Sequence, residues 1–274
     1  MSAVGDLLVE RRGWAGSAGR RRTNFALFLG PAIALTFLFF VVPVVIDIAV
    51  SLTDLDRTLR ISKFTTAHYQ KVFRGDPRLP QVIGLTFVYA FGTLAVFNVT
   101  FGLLLALTAT SLNKISGDFF RGVWLLPRMS PSVLYILLWL WVINPSGVGL
   151  LNQILTPLIG LTKPLDLMTS APVALIIIAN GFIGASLGMI IFTAAIRGIP
   201  EHLFHAAEAD GAGTLAKIRF ITLPALRWPL SFVTIYQALS LLVSFEYILL
   251  LTKGGPFYDT TVYALYVYRR AFTS

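Results

Sequence analysis

Five long apolar runs, parted by polar stretches, organise the 274-residue chain. Phe25 to Ile46 carries no charge over 22 residues, enough helix at about 1.5 Å per residue to cross roughly 30 Å of hydrocarbon. Asp47 closes that run, and a polar loop from Ser51 to Gln81 follows. Val82 to Leu112 is a second charge-free run, long enough to tilt or protrude. After a polar turn, Gly122 to Ile143 forms a third run interrupted by Pro127, Arg128 and Pro131. Asn144 to Ala171 is apolar but broken by proline and glycine, which predicts a re-entrant or surface-lying loop. Pro172 to Ile196 is the fourth run, and Pro224 to Leu251 the fifth, with Glu246 near its far end. Thr252 to Ser274 opens with a KGGP turn and then reads as the approach to another span. The pattern predicts an all-α, polytopic helical membrane protein with about five spans.

Between the fourth and fifth runs lies the stretch Arg197 to Pro229, of a different character. Pro200 suits a helix start, and Glu201 favours the positive end of its dipole. Leu203, Phe204 and Ala207 recur at helical spacing, and Gly211 and Gly213 supply left-handed positions that stop a helix. A short helix of about 10 residues, apolar on one side, is expected. A second amphipathic piece, Leu215 to Ile221, leads to Leu223-Pro224. Flanked by spans, the short helix has no core of its own chain to bury its apolar face, so that face is expected to dock on a partner.

Composition narrows the class. Hydrophobic residues make up 56% and charged residues 13%, against about 25% charged in a soluble domain. The absence of cysteine excludes disulfides and cysteine-based metal or nucleophile chemistry. The net charge of +9 lies in loops and a tail flanking apolar runs, which reads as topology-setting charge rather than a nucleic-acid surface. Residues 1–24 are expected to be a retained cytoplasmic tail, because the run after them is too long for a signal-peptide core. Basic residues divide almost evenly between the two sides, so Arg20-Arg21-Arg22, just before the first run, decides the orientation. The tail and the 197–229 loop then face the cytoplasm.

Catalytic chemistry is thin. With no Gly-Lys pair anywhere, the chain cannot form a P-loop around ATP. His202, His205 and Glu208 share a helical register without a further strong metal ligand or an H-E-x-x-H arrangement. Polar groups within spans default to functional candidates: Asn180 and Gly184 in the fourth run, Gln237, Ser244 and Glu246 in the fifth. Gly184 would let a solute approach closely, and Tyr236, Phe245 and Tyr247 could stack on sugar rings. Asn180 and Gln237 equally suit interhelical hydrogen bonds. Asp47, Arg128 and Glu246 are expected near span ends as snorkelling groups, or as the relay of an ion-coupled secondary carrier.

The central loop resembles the EAA loop of ABC-importer permeases. Ala206-Ala207, Glu208-Ala209, Asp210-Gly211-Ala212 and Ile221-Thr222-Leu223-Pro224 carry the likeness. Gly198-Ile199-Pro200, Leu203-Phe204 and the later Leu249 to Pro256 match the sugar-importer version, as do Leu265-Tyr266 and Arg269 to Phe272. The chain is similar to the first of the two permease subunits of carbohydrate importers of the maltose, trehalose and glycerol-phosphate type. Two positions depart: the family's leading Glu is His205, and the aromatic expected after Ala212 is Ile218. The resemblance implies a type I ABC-importer permease fold over residues 25–274, in a bacterial or archaeal plasma membrane, with a sixth family span beyond this C-terminus. It implies a non-catalytic subunit coupled to ATPases through the 200–213 helix, with Leu203 to Glu208, Asp210 to Ala212, Leu223 and Pro224 at the contact. His205 or Glu208 would take the family Glu's contact with a basic residue of the ATPase. The implied partners are a second permease, two ATPase subunits holding ATP and Mg, an extracytoplasmic solute-binding protein and membrane lipid, with no nucleic acid. A sugar site near the bilayer midplane would use Asn180, Gln237 and Ser244.

Overall fold

The computed structural model describes residues 27–55, 60–61, 63–146, 148–160 and 163–272. The tail at 1–24, and with it the arginine cluster used for orientation, lies outside them. The described residues are helical, with one isolated bridge between Thr53 and Phe64. Contacts divide the chain into two units, Met1–Pro77 and Arg78–Ser274.

The first unit is built on α1, Leu27–Ser51, with a π segment at Phe37–Val41. None of its apolar window is buried among the described residues. Asp47 is exposed near its end. The polar segment after it is tied back by Lys63 N–H donating to Asp54 Oδ1 at 2.9 Å. A short α2, Ala67–Gly75, places the Tyr69 hydroxyl 2.7 Å from Ser51 Oγ.

The second unit centres on two long helices. These are α3, Leu79–Ser111, containing a π segment at Thr93–Phe101, and α8, Pro172–Arg197. Where hydrocarbon surrounds a bundle, helices associate by close packing rather than by hydrophobic exclusion, which favours small residues at the contact. Here Gly181, Gly184 and Gly188 of α8 face Phe97, Asn98 and Gly102 of α3. A Cβ at Gly188 would stand 2.4 Å from the Asn98 carbonyl oxygen. The register rises together on both helices, so α3 and α8 run parallel.

Between them the chain turns back. A polar turn caps α4, Lys114–Met129, through Asn113 Oδ1 accepting from Ser116 N–H at 2.8 Å. Asp118 on α4 pairs with Arg121 and, at 3.1 Å, with Arg197 at the end of α8. The end of α3, the start of α4 and the end of α8 therefore gather at one end of the bundle. The third run is not a straight span. It breaks at Ser130-Pro131, and α5, Ser132–Val142, leaves α4 at 100°. A residue before proline is pushed out of the helical region, and Ser130 has ψ 142°. Pro127, inside α4, does not end the helix.

Within the expected loop at 144–171 lie two short helices. α6, Leu150–Ile159, ends on Gly160 at φ +69°, and α7, Leu167–Ser170, precedes α8. Buried Asn152 holds this segment together. Its Nδ2 donates to the Asn144 and Leu165 carbonyls, each at 3.0 Å, and its Oδ1 accepts from Leu165 N–H at 2.7 Å.

After α8 come α9, Glu201–Ala209, then α10, Thr214–Ala225, and α11, Arg227–Val243, which meet at 66°. The fifth run breaks again at Ser244-Phe245 before α12, Glu246–Leu251. The turn at 252–262 leads to α13, Tyr263–Phe272. A continuous core of Tyr89, Tyr135, Ile136, Ile176, Leu241, Ile248 and Leu265 joins these elements to α3 and α8.

Candidate functional site

The α9 loop leaves the end of α8 between two buried anchors, Ile199 at 8% exposure and Leu226 at 0%. Pro200 caps the helix at φ −59° and ψ 129°, and Glu201 occupies its first turn. The far end is closed by a pair of backbone bonds. Gly211 N–H donates to Glu208 O at 3.0 Å and Ala212 N–H to Ala207 O at 2.8 Å. This is the Schellman arrangement, which needs a left-handed residue at the turn; Gly211 supplies it at φ +74°. Gly213, expected to be left-handed, is extended at φ −70° and ψ 170° and starts α10.

The apolar face of α9 is divided. Leu203 is 42% exposed, whereas Phe204 and Ala207 are half-buried against their own chain. His205, Ala206, Glu208, Asp210 and Gly211 are exposed, and Ala212 is half-covered. Leu223 and Pro224, both exposed, lie in the last turn of α10. Lys217 Nζ donates to Glu208 Oε1 at 2.9 Å, closing the turn from outside. His205 Nδ1 stands 3.7 Å from the other carboxylate oxygen. The Lys217 hydrogen bond, then its charge, hold the Glu208 carboxyl below the usual glutamate range, with His205 adding a smaller share. Glu208 is thus engaged within the loop beside the position where the resemblance expects a glutamate.

The polar residues of the fourth and fifth runs converge on a cavity of about 290 Å³. Asn180, Gly184, Gln237 and Ser244 all line it. Asn180 donates to the hydroxyl of buried Tyr89, and Gln237 Nε2 donates to Gly184 O at 2.8 Å. Each amide therefore ties two helices together while bordering the cavity, and the side-chain carbonyls take no part in those two bonds. Gly184 has its bare Cα against α3: a Cβ there would stand 2.0 Å from Asn98 Oδ1. Its lack of a side chain is used by helix packing, and the residue also borders the cavity. Ser244 sits in the break between α11 and α12 with ψ 127°. Glu246 is not on the wall; it begins α12 and accepts a hydrogen bond from Ser132.

Tyr236, Ser240, Tyr247 and Arg128 complete the polar wall. Arg128 was expected to snorkel at the inner end of its span. Ten residues after Asp118, it lies about 15 Å along α4 from the contact between Asp118 and Arg197, and it is exposed. The sharp break at Ser130-Pro131 turns the chain there and leaves Arg128 on the cavity. Among the described residues, no group of three or more His, Cys, Asp or Glu is placed to hold a metal.

Among the described residues, three apolar helices are long enough to cross a membrane, or five with each bent pair taken as one span, which defines a multi-pass membrane protein. Residues 98–274 match the family described as "Binding-protein-dependent transport system inner membrane component". The chain belongs to that family. It is 29% identical to the diacetylchitobiose uptake system permease protein NgcF of Streptomyces coelicolor, over 92% of this chain and 74% of the relative. The lactose transport system permease protein LacF of Rhizobium radiobacter is 28% identical over 91% of this chain and 83% of its own. A chain of a bacterial alginate ABC transporter, solved in complex with an alginate pentasaccharide-bound periplasmic protein, superposes with a TM-score of 0.74 at 25% identity, covering 91% of this chain and 83% of that one. The fold is that of a type I ABC-importer permease.

Proposed function

We propose that this chain is the first-type permease subunit of an ATP-driven importer for a sugar or sugar-like solute. The observation that carries the reading is α9: a rigidly capped helix, pinned by Ile199 and Leu226, presenting Leu203 outward from the end of α8. Such a helix enters a groove on a partner and moves with it as a lever. ATPase subunits, which would hold ATP and Mg, supply that groove. Their closure moves α9 and switches the polar cavity between its two openings. A second permease completes the pathway, and a solute-binding protein delivers solute from outside. The tail and α9 face the cytoplasm. Saccharide transport is supported by the names of the relatives and by tyrosines beside amide and hydroxyl groups on the cavity wall.

Reconstitution of the complete complex in proteoliposomes tests this. Uptake should require ATP and the binding protein. Gly211→Val should abolish solute-stimulated ATP hydrolysis in a complex that still assembles, because a β-branched residue resists φ +74°. Normal transport by that assembled variant would contradict the lever. Uptake that follows an ion gradient without ATP would instead support an ion-coupled carrier using Asp47, Arg128 and Glu246.

A further inference from the structure

The two amides on the cavity wall are turned the same way. Asn180 Nδ2 donates to the Tyr89 hydroxyl and Gln237 Nε2 to Gly184 O. Among the described residues neither side-chain carbonyl accepts a hydrogen bond. The wall therefore keeps two amide acceptors open beside the hydroxyls of Ser240 and Ser244. For Gln237 the backbone of α8 sets that orientation. For Asn180 a single side chain sets it, Tyr89 of α3, which is not on the wall and is 0% exposed.

The Tyr89 ring packs in the core with Tyr135, Ile136 and Ile176, so the place of its hydroxyl is fixed by packing. Phenylalanine would fill that core equally well, and a buried hydroxyl is costly unless it is partnered. Ser244, in the break between α11 and α12, reaches the same hydroxyl from the other side. A hydroxyl has one proton to give; directed at Ser244, it leaves lone pairs for Asn180 Nδ2. We propose that Tyr89 is a positioning residue of the solute site, whose hydroxyl turns the Asn180 carbonyl toward the cavity to accept from a solute hydroxyl. The proposal rests on the importer reading above and deepens its solute site. Tyr135 supplies an internal comparison: its buried hydroxyl also binds α8, but at the backbone, donating to Ala179 O at 2.6 Å.

The test is solute taken up per ATP hydrolysed by the whole complex in proteoliposomes, with its binding protein present. Labelled lactose, maltose and diacetylchitobiose are offered in turn, and a sugar that the wild type accumulates becomes the probe. Tyr89→Phe should still hydrolyse ATP when the loaded binding protein is added, yet take up about fivefold less solute per ATP, the scale of one neutral hydrogen bond. Asn180→Ala should lose at least as much, and the double variant no more than Asn180→Ala alone, because Tyr89 acts through that amide. Tyr135→Phe should keep the wild-type ratio, any loss falling on uptake and hydrolysis together. A wild-type ratio in Tyr89→Phe would overturn the proposal and leave the importer reading intact. So would losses that multiply in the double variant, an equal loss in Tyr135→Phe, or failure of Tyr89→Phe alone to co-purify with its subunits, each of which would make the hydroxyl a packing group. A wild type that accumulates none of the three sugars with ATP would overturn the saccharide reading itself, and uptake without ATP the importer reading.

Discussion

A methyl group at Gly188 would meet the backbone carbonyl of Asn98 at 2.4 Å and the Gly102 Cα at 3.5 Å. Neither neighbour can rotate away, so α3 and α8 would have to separate along their length. Gly188→Ala should therefore cost about 1–3 kcal/mol, the usual range for overpacking a close contact, and lower the thermal midpoint of the detergent-solubilised complex. An unchanged midpoint would mean that the helices do not approach this closely. At Asn180 and Gln237 the interhelical bond and the cavity wall turned out to be the same place, because hydrogen bonds to Tyr89 and Gly184 run along the cavity's edge. Both candidates were legible as polar groups in apolar runs. Arg128 was singled out as a snorkelling or relay group, but its place beside the cavity was not legible, since hydropathy gives a residue's position along its own run and nothing of which helices meet beside it. The signal that could have found it is Pro131, three residues on, whose effect on Ser130 breaks the run.

Among the elements, α9 was the most legible, because cap residues and 3.6-residue spacing are local properties. Gly211 was read for the right reason. Gly213 was not, for the turn needs only one left-handed residue and the next glycine is free to extend. The helix within the 144–171 loop was not legible, because Pro157 sits within α6 and Asn152 staples the helix from a distance. The Glu208–Lys217 bond gives this region a pH signature. The folded carboxyl titrates below its unfolded value, so the bond contributes fully above about pH 4.3 and is lost as pH falls through the lower folded value. Amide exchange at Ala212, corrected for intrinsic rate, should stay flat between about pH 5 and about pH 8. A step in that window would mean that the Glu208–Lys217 pair does not hold the turn. The effect on overall stability is small, because the pair is solvated.

At the scale of the molecule, α8 has 26 residues, an axial length of about 39 Å, which exceeds the roughly 30 Å of a hydrocarbon core. Its two ends therefore lie on opposite sides. α9 follows one end, while Asp259 of the 252–262 turn borders a cavity with Pro172 and Val173 at the other. Phe257 at that turn is 94% exposed. Because the chain contains no cysteine, single cysteines report topology without background. Phe257→Cys should react with an impermeant maleimide in intact cells, and Leu203→Cys only after permeabilisation; the reverse pattern would invert the orientation. The alternation of spans and loops was plain from the sequence. The division at Pro77 and the bends of 100° and 66° were not, since they depend on which runs find packing partners.

The proposed role of α9 is to grip the ATPase subunit. The most direct measurement is cross-linking from Leu203→Cys, carrying a short photoreactive group, in the assembled complex. The proposed coupling role predicts an adduct with the ATPase subunit, sensitive to ATP and absent when the same group is placed on Phe257→Cys. An adduct confined to the permease subunits, in a complex that hydrolyses ATP normally, would contradict it.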